Sequence, residues 1–171
     1  MAKLATKIHA YNVYSKGNKL IGISDEVTLP DFEAMSETLN GAGILGEIDE
    51  PVLGHFGANE IEIPFRTLNA DMFGLVNQGA VDLTLRMSTQ TINQDDMKTD
   101  FQPSRIVIKG KTKSFSAGKA KQGEGTGASV KVEIMYILIE VNGKPKFELD
   151  KLNFMYKVNG QDLLAKVRGQ V

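Results

Sequence analysis

His9 and His55 are the two histidines of the chain, and it has no cysteine. Zinc is held by histidine, cysteine or carboxylate at short regular spacing, and neither H-x-x-x-H nor H-E-x-x-H occurs, so a metal centre has little support. Asp95 and Asp96 offer two carboxylates of the kind that glycoside hydrolysis needs. Adjacent acids in a strand point to opposite faces, however, and in a polar turn they are solvated. Serine chemistry fares no better, because no G-x-S-x-G elbow is present. Gly41-Ala-Gly43-Ile-Leu-Gly46 matches the dinucleotide pattern by letters, but that pattern works by turning a buried strand into a helix whose amides face a pyrophosphate. Here Glu37-Thr-Leu-Asn40 precedes it without a clear buried strand, and Glu47-Ile-Asp-Glu-Pro51 follows, opening on acid and stopping at proline. Gly118 to Gly127 is glycine-rich without the order of a phosphate-binding loop, which leaves Lys119 and Lys121 on a solvated linker. No catalytic residue, metal ligand or cofactor-binding residue emerges. The expectation is a protein that is not an enzyme and needs no cofactor.

Arg105, Lys109, Lys111 and Lys113 form a basic stripe of the kind that tracks phosphates. Yet Glu60, Glu62, Asp82, Glu133 and Glu140 lie on other strands, tryptophan is absent, and no aromatics interleave with the lysines. Cross-strand pairing or a subunit contact is the better reading. Twenty basic residues against 21 acidic give a formal net charge of -1, so no overall field recruits nucleic acid. With 171 residues, 42% apolar and 24% charged, the chain fits one globular domain over 1–171. No apolar run approaches the ~20 residues that span a bilayer, and Met1 to His9 lacks the apolar core of a secretory signal. No membrane anchor is expected.

The elements that carry these residues read as mainly β. Thr6 to Tyr14 and Leu20 to Leu29, joined at Ser15-Lys-Gly-Asn-Lys19, form an expected hairpin that Pro30 closes. Residues 31–58 break any period while keeping Phe32, Met35, Ile44 and Leu45 apolar, which suggests an arm packed on a partner subunit. Asn59 to Thr67 alternates as a half-buried strand, with Pro64 marking an edge or bulge. Asn69 is placed to cap a helix over 70–77 whose Met72, Phe73, Leu75 and Val76 share a face. Val81 to Met87 and Ser104 to Ser116 are strands with one wet face, separated by a polar turn at Asn93 to Lys98. After a flexible loop at about 117–128, Ser129 to Val141 is the strongest strand, and Ile134 to Ile139 is apolar on both faces. Asn142-Gly143 turns into a strand over 146–158, and a short amphipathic tail follows Asn159-Gly160. Roughly seven strands and one or two short flanking helices point to an antiparallel β-sandwich or barrel.

Several of these segments, taken in order, resemble the major tail tube protein family of contractile-tailed bacteriophages and phage-tail-like bacteriocins. They are Val27-Thr-Leu-Pro30, then Asn40-Gly-Ala-Gly43 with Gly46, and Lys109-Gly-Lys111 leading into Gly118-Lys-Ala-Lys-Gln-Gly-Glu124. Glu133, Tyr136, Gly143, Glu148-Leu-Asp150, Asn153, Val158-Asn-Gly160, Asp162-Leu163 and Arg168 complete the set. The likeness runs from about Tyr11 to Arg168.

The resemblance implies a tail-tube-type β-sandwich or barrel whose copies close into hexameric rings, join their inner strands edge to edge, and stack into a hollow tube. Such a tube sits inside a contractile sheath, is driven through the cell envelope on contraction, and conducts DNA in a phage without binding it specifically. Expected partners are the chain itself, the sheath protein, the tape-measure protein and the baseplate tube initiator. The expected location is a virion tail or phage-tail-like particle, reached from the host cytoplasm. Candidate inter-subunit residues are Leu29, Pro30, Asn40, Gly41, Gly43, Ile44 and Leu45 on the arm, Lys121, Gln122, Gly123 and Glu124 on the loop, and Ile134, Tyr136 and Leu138 on the long strand. Because a polyanion moves freely only past a wall that does not hold it, the lumen is expected to be neutral or acidic, with Glu60, Glu62 and Asp82 as candidates to face it. A lumen lined by Lys109, Lys111 and Lys113 would contradict this. Two rivals are a type VI secretion-like tube, which shares the physics of ring closure, and a carbohydrate-binding β-sandwich, which the lack of tryptophan disfavours.

Overall fold

Alternating apolar and charged residues build strands in which every second side chain can be hidden. The computed structural model describes residues 2–24, 26–77 and 79–171; Met1, which opens the N-terminal stretch, and Asp25, inside the expected second strand, lie outside them. In chain order the elements are β1 (Lys3–Ser15), β2 (Asn18–Lys19), β3 (Ala34–Leu39), β4 (Ile48–Phe56), β5 (Glu60–Phe65) and α1 (Ala70–Val76). There follow β6 (Ala80–Asn93), β7 (Thr99–Ser116), β8 (Ala128–Val141), β9 (Lys144–Asp150), β10 (Met155–Val158), β11 (Gln161–Asp162) and α2 (Ala165–Arg168). The main sheet runs β11-β10-β9-β8-β7-β6-β1-β2 with β5 attached to β8, while β3 and β4 pair with each other. All of these pairings are antiparallel. The architecture is therefore mainly β, as the alternation implies.

One face of this sheet makes the core. Val13 on β1, Leu83 and Leu85 on β6, Ile108 on β7, Val130 and Val132 on β8, and Ile61, Ile63 and Phe65 on β5 are buried in one cluster. Each such side chain contributes about 1.5–3 kcal/mol by leaving water. Helix α1 plugs this cluster with Met72 and Leu75. Asn69 caps it as expected, its Oδ1 accepting from Met72 N at 2.9 Å and its Nδ2 donating to Ile21 O at 3.2 Å. Phe73, expected on the buried face, is half exposed and meets the edge of Phe115.

The expected hairpin from 6 to 29 holds at its turn only. Its second strand is the two residues of β2, because Gly22, at φ +87°, bends the chain away from β1. The segment then runs beside β5: Arg66 N donates to Gly22 O at 2.9 Å, Ser24 N to Pro64 O at 3.0 Å, and Ile23 and Thr28 bridge to Phe65 and Glu62. β5 thus has β8 on one side and this segment on the other, and the wall curls into an open barrel. The strand expected over 146–158 is likewise two strands. Asp150 accepts from Leu152 N at 3.1 Å and Asn153 N at 3.2 Å, and the turn they make sends β10 back along β9.

The doubly apolar run of β8 has a local explanation. Lys109 lies opposite Tyr136 while Gly110 lies opposite Ile134, so Met135 is an inserted bulge residue. A bulge reverses the alternation of everything beyond it, and Ile134 and Ile137 both enter the core. Here β8 also forks: residues 128–133 pair with β5 and residues 136–141 with β9.

Candidate functional site

The arm expected at about 30–58 is not irregular: it is the β3–β4 hairpin. Glu37 lies opposite Glu50 and Leu39 opposite Ile48, and Thr38 Oγ1 donates to Asp49 Oδ1 at 2.7 Å. Glycine spacing, misleading as a nucleotide signature, makes the turn instead. Gly41, Gly43 and Gly46 all take positive φ, a region where glycine carries no Cβ penalty, and strand rather than helix follows. Asn40 and Ile44 belong to the same turn, where Ile44 N donates to Gly41 O at 3.2 Å. Leu45 stands fully in water, and Met35, Ile48, Val52 and Leu53 are exposed along the strands. Between residues 31 and 56 the chain carries six carboxylates and no lysine or arginine. The hairpin is therefore both acidic and apolar on its surface.

Its root is firm. Phe32 and Phe56 pack with Phe147 of β9 and Tyr156 of β10, with ring centroids 4.8–6.4 Å apart. Lys151 Nζ donates to Gly57 O at 3.0 Å, and Asn59 Nδ2 donates to Asp31 O. These four rings come from separate parts of the chain, so no local pattern marks them. A rigid base with an uncovered tip is a geometry for reaching another molecule rather than for chemistry.

The other assembly candidates divide. Leu29 is exposed, and Pro30 beside it is half-buried. Lys121, Gln122, Gly123 and Glu124 form an exposed turn, with Lys121 Nζ 2.9 Å from Glu124 Oε1. Ile134 is a correction: at 1% exposure it belongs to the monomer's own core, placed there by the bulge. Tyr136 and Leu138 lie beyond the bulge, half-buried on the opposite face. Burial, followed by a 2.9 Å hydrogen bond to Glu148 Oε1, pushes the Tyr136 phenol up to about 12.

That same face gathers the charges. Asp82 lies opposite Lys109, Lys111 opposite Glu133, Glu133 opposite Glu60, and Glu62 opposite Lys131. Lys113 Nζ sits 3.2 Å from Glu60 and 3.7 Å from Glu133, and the Glu60 hydrogen bond is the chief reason its ammonium is held above the usual lysine range. Arg105 Nε lies 2.8 Å from Glu140, and Lys109 stands over the Tyr136 ring at 5.5 Å. The acids and the lysines therefore cannot be assigned to opposite surfaces. Cross-strand register, which one strand read alone does not reveal, puts them together. Among the described residues no three histidine, cysteine or carboxylate side chains gather as metal ligands.

Residues 5–171 match the family model described as phage tail tube protein FII. The chain is 27% identical over 177 aligned residues to the tail tube protein of Escherichia phage P2, covering 96% of each. It is 25% identical to the major tail tube protein of Serratia phage KSP20, covering 92% of this chain and 90% of that one. Among solved structures it resembles a chain from the sheath/tube terminator of an extracellular contractile injection system, PVC, in its extended state. That likeness has a TM-score of 0.54 at 10% identity over 77% of this chain and 94% of the other.

Proposed function

The chain belongs to the phage tail tube protein FII family and is a structural tail tube subunit, and from that premise we propose how it assembles and what it meets. Copies close into hexameric rings, and rings stack into a hollow tube inside a contractile sheath. The observation that carries this is the β3–β4 hairpin, a well-anchored element that among the described residues pairs with no strand of the main sheet and exposes seven large apolar side chains along its strands and turn. Exposed apolar surface of this kind marks an interaction site. The turn residues Asn40, Gly41, Gly43, Ile44 and Leu45, with Leu29 and Pro30 near the root, are the arm's contacts. Lys121 to Glu124 on the loop, and Tyr136 and Leu138 on β8, are the further contacts.

In this reading the tube occupies a virion tail or phage-tail-like particle after its subunits leave the host cytoplasm. It assembles around a tape-measure protein from a baseplate initiator and gives DNA passage in a phage. Lys109, Lys111 and Lys113 share the face of Glu60, Glu62 and Asp82, which runs against an acidic lumen wall there, so the three acids are kept as candidate lumen residues only on a wall of mixed charge. On that wall Lys113 pairs with Glu60 and Glu133 and Lys131 with Glu60, while Lys109 and Lys111 lie opposite Asp82 and Glu133 in register. Lys113 and Lys131, held by carboxylates, are poor phosphate ligands, since each contact with DNA would break an existing pair.

Negative-stain electron microscopy of the purified protein over a concentration series, with light scattering on the same samples, tests the assembly. Rings or tubes of uniform diameter are expected. A strict monomer at every concentration, even with a baseplate initiator added, would refute it.

A further inference from the structure

Helix α1 has an outer face that its own chain leaves uncovered. Asn69 and Asp71 tie its first turn to Ile21, whose N donates to Asp71 Oδ2 at 3.3 Å, and Thr112 Oγ1 of β7 donates to Leu75 O near its end. Met72 and Leu75 are buried, which leaves Ala70, Phe73 and Gly74 outside. Around them Ile21, Leu68, Phe73 and Phe115 are 42% to 72% exposed, and the Phe73 and Phe115 rings meet edge to face at 6.4 Å. Large apolar side chains grouped on one surface in this way mark an interaction site.

Gly74 adds an independent sign. Glycine inside a helix is less favourable than alanine, and a Cβ built there meets nothing within 4 Å. One copy alone therefore makes no use of the space, whereas a chain laid closely over the helix would. The charges at this face are chiefly cationic. Lys16 lines a hollow of about 70 Å³ beside Gly74, Lys19 lies two residues before Ile21, and Lys119 follows Phe115 in the glycine-rich loop. None of these three lysines forms an ion pair among the described residues. Of the nearby carboxylates, Asp71 accepts from Ile21 N, and Glu124 is paired with Lys121.

A fitting occupant is apolar, acidic and able to bring its backbone close. The β3–β4 hairpin exposes seven large apolar side chains and carries Gly41, Gly43 and Gly46 in its turn. The six carboxylates between residues 31 and 56 form no ion pair among the described residues. Glu37 lies directly opposite Glu50, an arrangement that costs stability until a cation comes near. Both surfaces are exposed in one and the same chain, so its own hairpin does not cover its own helix.

We infer that the β3–β4 hairpin of one copy docks across the outer face of α1 in a second copy. This rests on the tube reading above and specifies which surfaces meet in it. Two unlike surfaces on one chain make a head-to-tail contact, which repeats from copy to copy. The hairpin's turn lies against Phe73 and Gly74, and its carboxylates face the lysines around them.

Because the chain has no cysteine, introduced ones report contacts without background. One protein carries Leu45→Cys and another Ala70→Cys, both at exposed positions. The two are mixed, assembled and treated with a short bis-maleimide. Dimers joining the two unlike chains should form in the assembled material and not in the dilute monomer. A third protein, Gly74→Gln, should melt no lower than the native chain, since glutamine is the better helix former. It should nevertheless need about tenfold more protein to assemble, because its side chain fills the space the hairpin takes. If Gly74→Gln melts lower, the cross-link alone decides. Tubes that form without the unlike cross-link, or a well-folded Gly74→Gln protein that assembles at the native concentration, would overturn this docking while leaving the tube reading intact. A native chain that never assembles would overturn both.

Discussion

Gly110 shows how one residue can be fixed by its neighbour's irregularity. A Cβ built there would fall 1.9 Å from Glu133 O, the carbonyl just before the β8 bulge, so the two strands approach only because β7 has no side chain at that point. Gly110→Ala must push the bulge apart, and we expect a loss of about 2–3 kcal/mol, read as a lower midpoint in urea unfolding. Tyr136, just past the same bulge, makes a pH prediction. Its phenol keeps its proton to about 12 in the folded chain, whereas an unfolded tyrosine loses it near pH ~10. Between those values the unfolded state binds fewer protons, so stability falls as pH rises through that window and is insensitive to this group below it. Comparing native and Tyr136→Phe proteins at about pH 9 and about pH 11.5 should show the native chain losing more stability between the two. Equal losses would mean that the phenol is not held by its burial and by Glu148.

At the scale of elements, what was legible in the sequence was whatever depends on near neighbours. β5 and β6 follow from strict alternation, with Ile61, Ile63 and Phe65 or Val81, Leu83 and Leu85 buried in turn. The cap of α1 follows from Asn69 lying three residues before Met72. Its removal is a clean test: Asn69→Ala should cost about 1 kcal/mol, with a further loss because Ile21 O surrenders its donor where the chain leaves β1. What stayed hidden depends on partners distant in sequence. The 20–29 segment looked like the second strand of a hairpin because its residues suit one, and only the bend at Gly22 toward Pro64 and Phe65 redirects it. The root of the arm joins Phe32 and Phe56 to Phe147 and Tyr156, more than 90 residues on in sequence. The bulge at Met135 puts Ile134 and Ile137 on the same core face while Tyr136 and Leu138 stay on the opposite one, and it takes Ile134 out of the assembly candidates.

For the whole molecule, the decisive contrast is between surface that holds the monomer and surface that does not. On the hairpin Leu45 lies fully in water and Leu53 is more than half exposed, so they contribute little to folding one copy. Replacing both with serine should shift the monomer's unfolding free energy by no more than about 0.5 kcal/mol. If the hairpin is an assembly arm, the same change should still remove much of the drive to associate, since each buried leucine is worth about 1.5–3 kcal/mol when covered. Repeated at every subunit of a ring, even part of that loss should raise the threshold for tube formation well beyond the monomer effect. Light scattering against concentration, set beside thermal melting of the dilute protein, separates the two quantities. Unchanged melting with impaired assembly is the expected result. Unchanged melting with unchanged assembly would move the contact away from the hairpin's apolar face and leave its carboxylates, or the turn at Lys121 to Glu124, to carry it.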